Sequence, residues 1–105
     1  MAVATSRPEI EPRDVRALTE YMTVLENEGI AKGAPGLYAV ISQSGSQYIV
    51  DARTGACQCP DFQRFTPNGG CKHVRRVAFA TGQRDVPTGI DAGDIDPDLG
   101  RHVDG

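Results

Sequence analysis

The 105-residue chain has no tryptophan, three tyrosines and three phenylalanines. So few aromatics exclude nucleic-acid recognition by a basic ribbon interleaved with stacking rings. No apolar run approaches the roughly eighteen residues of a membrane span, so none is expected. The opening MAVATSRPEIEPRD lacks the apolar core of a secretory signal. No Ser–His–Asp set and no phosphate-cradling glycine loop is present, so no enzyme is expected. Cysteine is scarce and odd in number, at three. That argues against a secreted disulfide framework and for a reducing, cytoplasmic setting.

What is there lies close together. Cys57, Cys59, Cys71 and His73 all fall in CQCPDFQRFTPNGGCKH, residues 57–73. Three thiolates and an imidazole make a full ligand set for one tetrahedral Zn²⁺. Side chains at i and i+2 of a strand share a face, with α-carbons roughly 6.6 Å apart. The sulfurs need to approach to about 4 Å, which side-chain rotation allows. Cys71 and His73 cannot both face a metal from mid-helix, where i and i+2 stand about 200° apart. The spacing therefore predicts Cys71 just before a helix and His73 in its first turn, with Gly69 and Gly70 easing the approach. Other readings are ordinary buried cysteines, a disulfide with a spare thiol, or a catalytic Cys–His pair. Clustering beside a histidine disfavours the first, and a catalytic pair leaves two cysteines unused.

The four ligands, with the run Cys59-Pro60-Asp61-Phe62 and the pair Lys72–His73, resemble the SWIM-type zinc finger. The resemblance covers about residues 46–82 and implies a β-hairpin joined to a short helix through one structural zinc. Members of that family occur as modules on ATPases, transposases and recombination factors, and as short stand-alone proteins. The resemblance thus implies fold and metal more firmly than biological role.

The net charge of −3 is unevenly spread. Residues 1–52 carry four basic and seven acidic groups. Residues 53–84 carry six basic groups (Arg53, Arg64, Lys72, Arg75, Arg76 and Arg84) against Asp61 alone. Residues 85–105 carry six aspartates and Arg101. A basic island therefore sits between acidic flanks.

The expected fold is α+β: an N-terminal amphipathic helix, a small antiparallel β-meander and a zinc-anchored C-terminal helix of the SWIM-type ββα finger. Residues 1–11 are expected to be a flexible terminus and 12–86 one small zinc-binding domain. A helix is predicted over 12–28, with Val15, Leu18, Met22 and Leu25 in a 3-4-3 stripe and Gly29 and Gly33 ending it. Residues 37–41 and 47–51 read as a hairpin about a Ser42–Ser46 turn, with Tyr48 and Val50 or Ile49 toward the core. After a tight turn at Gly55, a third strand over 56–59 delivers the first two thiolates. Asp61 is expected to cap a single helical turn carrying Phe62 and Phe65, read as the apolar surround of the zinc or, alternatively, as base-stacking platforms. Cys71 to Thr81 is the last predicted helix, with Val74, Val77 and Ala78 inward and Gly82 as its stop. The segment 87–105, rich in Asp and Gly, is expected to be an acidic, disordered tail, with His102 a solvated histidine within it.

These readings lead to a structural zinc-finger protein that binds DNA or works in a DNA-associated complex. Arg64, Lys72, Arg75 and Arg76 are the expected solvent-facing contacts. The alternative is a protein-interaction adaptor using the helix over 12–28 and the finger surface.

Overall fold

The computed structural model describes residues 10–26, 33 and 35–99. The described residues form a mixed α+β fold of three α-helices and one four-stranded antiparallel sheet. The order is α1 (Pro12–Thr19), β1 (Thr23–Glu26), β2 (Leu37–Ile41), β3 (Gln47–Asp51), β4 (Ala56–Cys57), α2 (Pro60–Phe65) and α3 (Lys72–Ala80). A short 3₁₀ turn follows at Ala92–Asp94. The strands lie in sequence order, so each pairs with its chain neighbour. Among the described residues no helix is long and apolar enough to cross a membrane.

The predicted hairpin forms with the expected strands. Its turn closes through Ser42 N–H to Ser46 O at 2.8 Å, with Gly45 at φ 93°. Val24, Val40 and Tyr48 lie side by side in the ladder, as do Tyr38, Val50 and Cys57. These residues share one face, because strand side chains alternate. That face packs with Met22, Cys59, Cys71 and Val77 into one core, and Tyr48 and Val50 are the inward pair of β3. The sheet thus places Cys57 at the edge of its own apolar layer.

The helix predicted over 12–28 is corrected. Helix α1 stops at Thr19, and 23–26 form β1; residues 27 and 28 and Gly29 lie outside the described residues. Met22 and Val24 are buried while Thr23 and Leu25 are half-buried, which is the period of a strand. The face that α1 buries is also different: Asp14, Ala17 and Leu18 turn inward, and Val15 is 37% exposed.

The tail reading is corrected as well, for 87–99. Ile90, Ile95 and Leu99 pack against Ala17, Leu18 and Phe79 as a second apolar cluster. Asp96 is buried, and its backbone N–H donates to Leu18 O at 2.8 Å. Partial burial of these three aliphatic side chains supplies apolar contacts that the polar composition alone does not. His102 and the rest of 100–105 lie outside the described residues, as do residues 1–9 of the expected flexible terminus.

Candidate metal centre

Three local structures bring the ligands together. Strand β4 ends on Cys57. Cys59 is the N-cap of α2, where Pro60 occupies the first turn and needs no N–H partner. The Cys59 sulfur accepts the Phe62 N–H at 3.4 Å, so this thiol is the cap that Asp61 was expected to provide. Cys71 is the N-cap of α3, and His73 sits in its first turn, as the spacing predicts. The approach runs through Gly70 at φ 94°, where an added Cβ would meet Val74 Cγ1 at 2.5 Å. Only glycine fits that bend.

The four residues are buried, and one ligand atom from each lies within 4.8 Å of all the others. His73 Nδ1 is 3.9 Å from Cys57 Sγ and 3.8 Å from Cys71 Sγ. A tetrahedron with Zn–S and Zn–N bonds of about 2.3 and 2.0 Å has S···N edges near 3.5 Å, so small closing movements suffice. Amide N–H groups already point at sulfur: Cys59 N–H reaches Cys57 Sγ at 3.4 Å, alongside the Phe62 bond to Cys59. Such bonds favour thiolate over thiol.

The three sulfurs share protons unequally. The hydrogen bond with Cys57, opposed by burial and helped by His73 and the Val74 N–H, brings Cys71 down to about 4. The same contact with Cys71, and then burial, push the Cys57 thiol well up. Burial is also what raises Cys59. Cys57 keeps the proton that Cys71 gives up. Three sulfurs this close cannot all ionise alone, and a divalent cation resolves that conflict by displacing the remaining protons. The set of three sulfurs and one nitrogen fits zinc best. Four protein ligands would close the coordination of a bound ion.

The expected solvent-facing cations are differently placed. Arg75 and Arg76 are 1% and 0% exposed, and both are corrected to internal residues. Arg75 donates to Gly70 O at 2.8 Å, Asn68 O at 2.6 Å, Glu11 at 2.9 Å and Asp14 at 3.1 Å. Asp14 also receives Arg84 at 2.8 and 3.1 Å. Arg76 donates to the carbonyls of Ala17, Glu20 and Met22 at 3.1, 3.0 and 2.9 Å, and to Asp96. It thereby satisfies carbonyls left open at and just past the end of α1. Lys72 is half-buried and paired with Glu20 at 2.6 Å. Arg64 alone of the four is exposed, with its guanidinium 5.6 Å from the Phe65 ring centre. Phe62 joins the core against the sulfurs, whereas Phe65 is 63% exposed and takes no part in enclosing the site.

Sequence reasoning missed Arg13, which grips Asp61 through Nε and NH2 at 2.9 Å each and ties α1 to α2. Asp61 is the single acid of the basic island, and that isolation was the available signal. No family model matches the chain, and neither a curated protein nor a solved structure does.

Proposed function

We propose that this chain is a small structural zinc protein of the SWIM type, without catalytic activity, whose metal holds together a surface for a macromolecular partner. The observation that carries the reading is the buried, closed set of Cys57, Cys59, Cys71 and His73. A catalytic zinc keeps one position for water or substrate, and four protein ligands leave none. Elemental analysis of the purified chain tests it, with one zinc per chain expected. Removal by chelator should collapse the circular dichroism signal, because metal binding and folding are coupled in domains of this size. Cys59→Ser should behave like chelation. A protein free of zinc, or a spectrum unmoved by chelator, would sink the proposal.

The partner reading moves toward protein. With Arg75 and Arg76 committed internally and Lys72 paired to Glu20, few free cations among the described residues face solvent for a phosphate backbone. The apolar face of α1 is also used within the chain, so an adaptor role falls to the finger surface. A nucleic-acid-associated role keeps one supporting observation, the exposed Phe65 with Arg64 stacked over it. A gel-shift titration across salt separates the two. Phosphate contacts would make affinity fall steeply with salt, and Arg64→Glu would weaken binding for all sequences alike. No binding at low salt leaves the adaptor.

A further inference from the structure

His73 has one hydrogen-bonding group unmet. Nδ1 is turned to the sulfurs, and with that nitrogen on a metal the imidazole would carry its proton on Nε2. That nitrogen is buried and has no hydrogen-bond partner. Zinc-bound imidazoles usually give this second N–H to a carboxylate, a carbonyl or a water, which fixes the ring and raises its basicity. Tyr48 braces the ring from one side, with centroids 4.9 Å apart and planes tilted by 46°.

A cleft of about 220 Å³ has His73 among its lining residues, together with Ser44, Tyr48, Asp61 and Lys72. Water occupies about 30 Å³ per molecule, so the cleft has room for several. Lys72 only donates, and its ammonium is engaged by Glu20. Ser42 and Ser44 bond one another at 3.0 Å. Asp61 brings an acceptor that is already fixed in place. Arg13 takes one hydrogen-bonding site on each of its two oxygens, and each oxygen has a second lone pair.

We propose that Asp61 is a positioning residue for the metal centre, its carboxylate receiving the Nε2–H of His73 through a water admitted from this cleft as the imidazole closes on the metal. Arg13 aims the carboxylate, and the carboxylate orients the imidazole. The reading deepens the Cys₃His zinc assignment and rests on it.

The test uses the full chain as wild type, Asp61→Ala and Arg13→Ala. Zinc stoichiometry comes first: a wild type that takes up no zinc removes the metal assignment itself. With zinc bound, affinity is measured by competition against a chromophoric chelator. Asp61→Ala is expected to weaken binding about 10- to 100-fold. Arg13→Ala breaks the same ion pair but keeps the carboxylate, so it is expected to cost no more than the few-fold of an exposed pair. Equal losses in the two variants would overturn the proposal, since the ion pair alone would explain both. The His73 Nε2–H resonance is the second readout, expected to exchange slowly in the wild type and in Arg13→Ala. Should Asp61→Ala fail to fold, a wild-type Nε2–H in fast exchange with solvent would still overturn it.

Discussion

Arg76 donates to the carboxylate of Asp96 at 2.5 Å, and both side chains are out of contact with solvent. The pair joins α3 to a segment that begins beyond the last regular helix. Asp96 also accepts the Met22 N–H at 3.0 Å, while Arg76 holds three carbonyls at and after the end of α1. One buried ion pair therefore fixes where three parts of the chain meet.

Breaking that pair from one side should be severe. Asp96→Ala leaves a buried guanidinium without its counter-charge, which costs about 3–5 kcal/mol. Urea unfolding of the zinc-loaded protein measures it. The double change Arg76→Met with Asp96→Leu should recover part of the loss by removing both charges. It should not recover all, because the carbonyls of Ala17, Glu20 and Met22 lose their donor.

Truncation after Val86 should destabilise the protein by at least as much as Asp96→Ala. It removes the same carboxylate together with Ile90, Ile95 and Leu99 from the second apolar cluster. Full burial of one such side chain is worth about 1.5–3 kcal/mol, and these three are partly buried, so each contributes a fraction of that. Denaturant midpoints of the full and shortened chains decide the matter, and an unchanged midpoint would contradict the docking.

Acid should expose the same pair. Burial alone would raise the Asp96 carboxyl, but the Arg76 hydrogen bond and the Met22 and Asp98 amides outweigh it and hold it below the ordinary 3.8. A folded-state value lowered in this way adds stability above the unfolded value and loses it as pH falls through the folded one. The stability gap between wild type and Asp96→Asn should therefore be constant from neutral pH to about 5 and shrink below about 4. Taking the difference between variants cancels acid release of the metal, which affects both alike.

Zinc removal should be felt far from the sulfurs. Helix α3 carries Cys71 as its cap and His73 in its first turn, then Arg75 and Arg76. Without metal, the start of α3 loses its anchor and both arginines lose their aim. Hydrogen exchange should accelerate at the Asp96 amide, which bonds Leu18 O, together with the amides of the sheet core. Protection that persists at Asp96 after chelation would show that the segment around Asp96 docks on α1 independently of the metal.

The ligands, the hairpin over 37–51 and the last helix were readable because local chemistry decides them. Alternation, turn glycines and ligand spacing need no distant partner. Strand β1 was not readable, since Leu18, Met22 and Leu25 satisfy a helical stripe as well as Met22 and Val24 satisfy alternation. The ambiguity is settled by pairing with β2 and by Arg76 closing α1, both non-local. Arg75 and Arg76 were misread for a related reason. Charged side chains are rarely fully buried, and the exception requires partners, which here lie 54 to 64 residues earlier in the chain or, for Asp96, 20 residues later. Composition alone hides the role of the acidic segment, whose Asp96 complements buried Arg76 and whose three spaced aliphatics pack on Ala17, Leu18 and Phe79.

Helix α3 also sets an angular relation. His73 and Val77 stand about 40° apart around its axis and face the sheet, while Arg75 and Phe79 share another side, turned by about 200°. The nine residues of α3 thus act as a shaft that transmits a fixed phase from the Cys₃His cluster to α1 and Asp96. A single residue inserted between His73 and Arg75 would leave every ligand in place and keep both arginines in the sequence. It would still turn them by about 100° and shift them by about 1.5 Å, out of reach of α1 and Asp96. The spacing between metal and arginines is therefore as much a part of the fold as the residues themselves, and its length tolerates no compensation by composition.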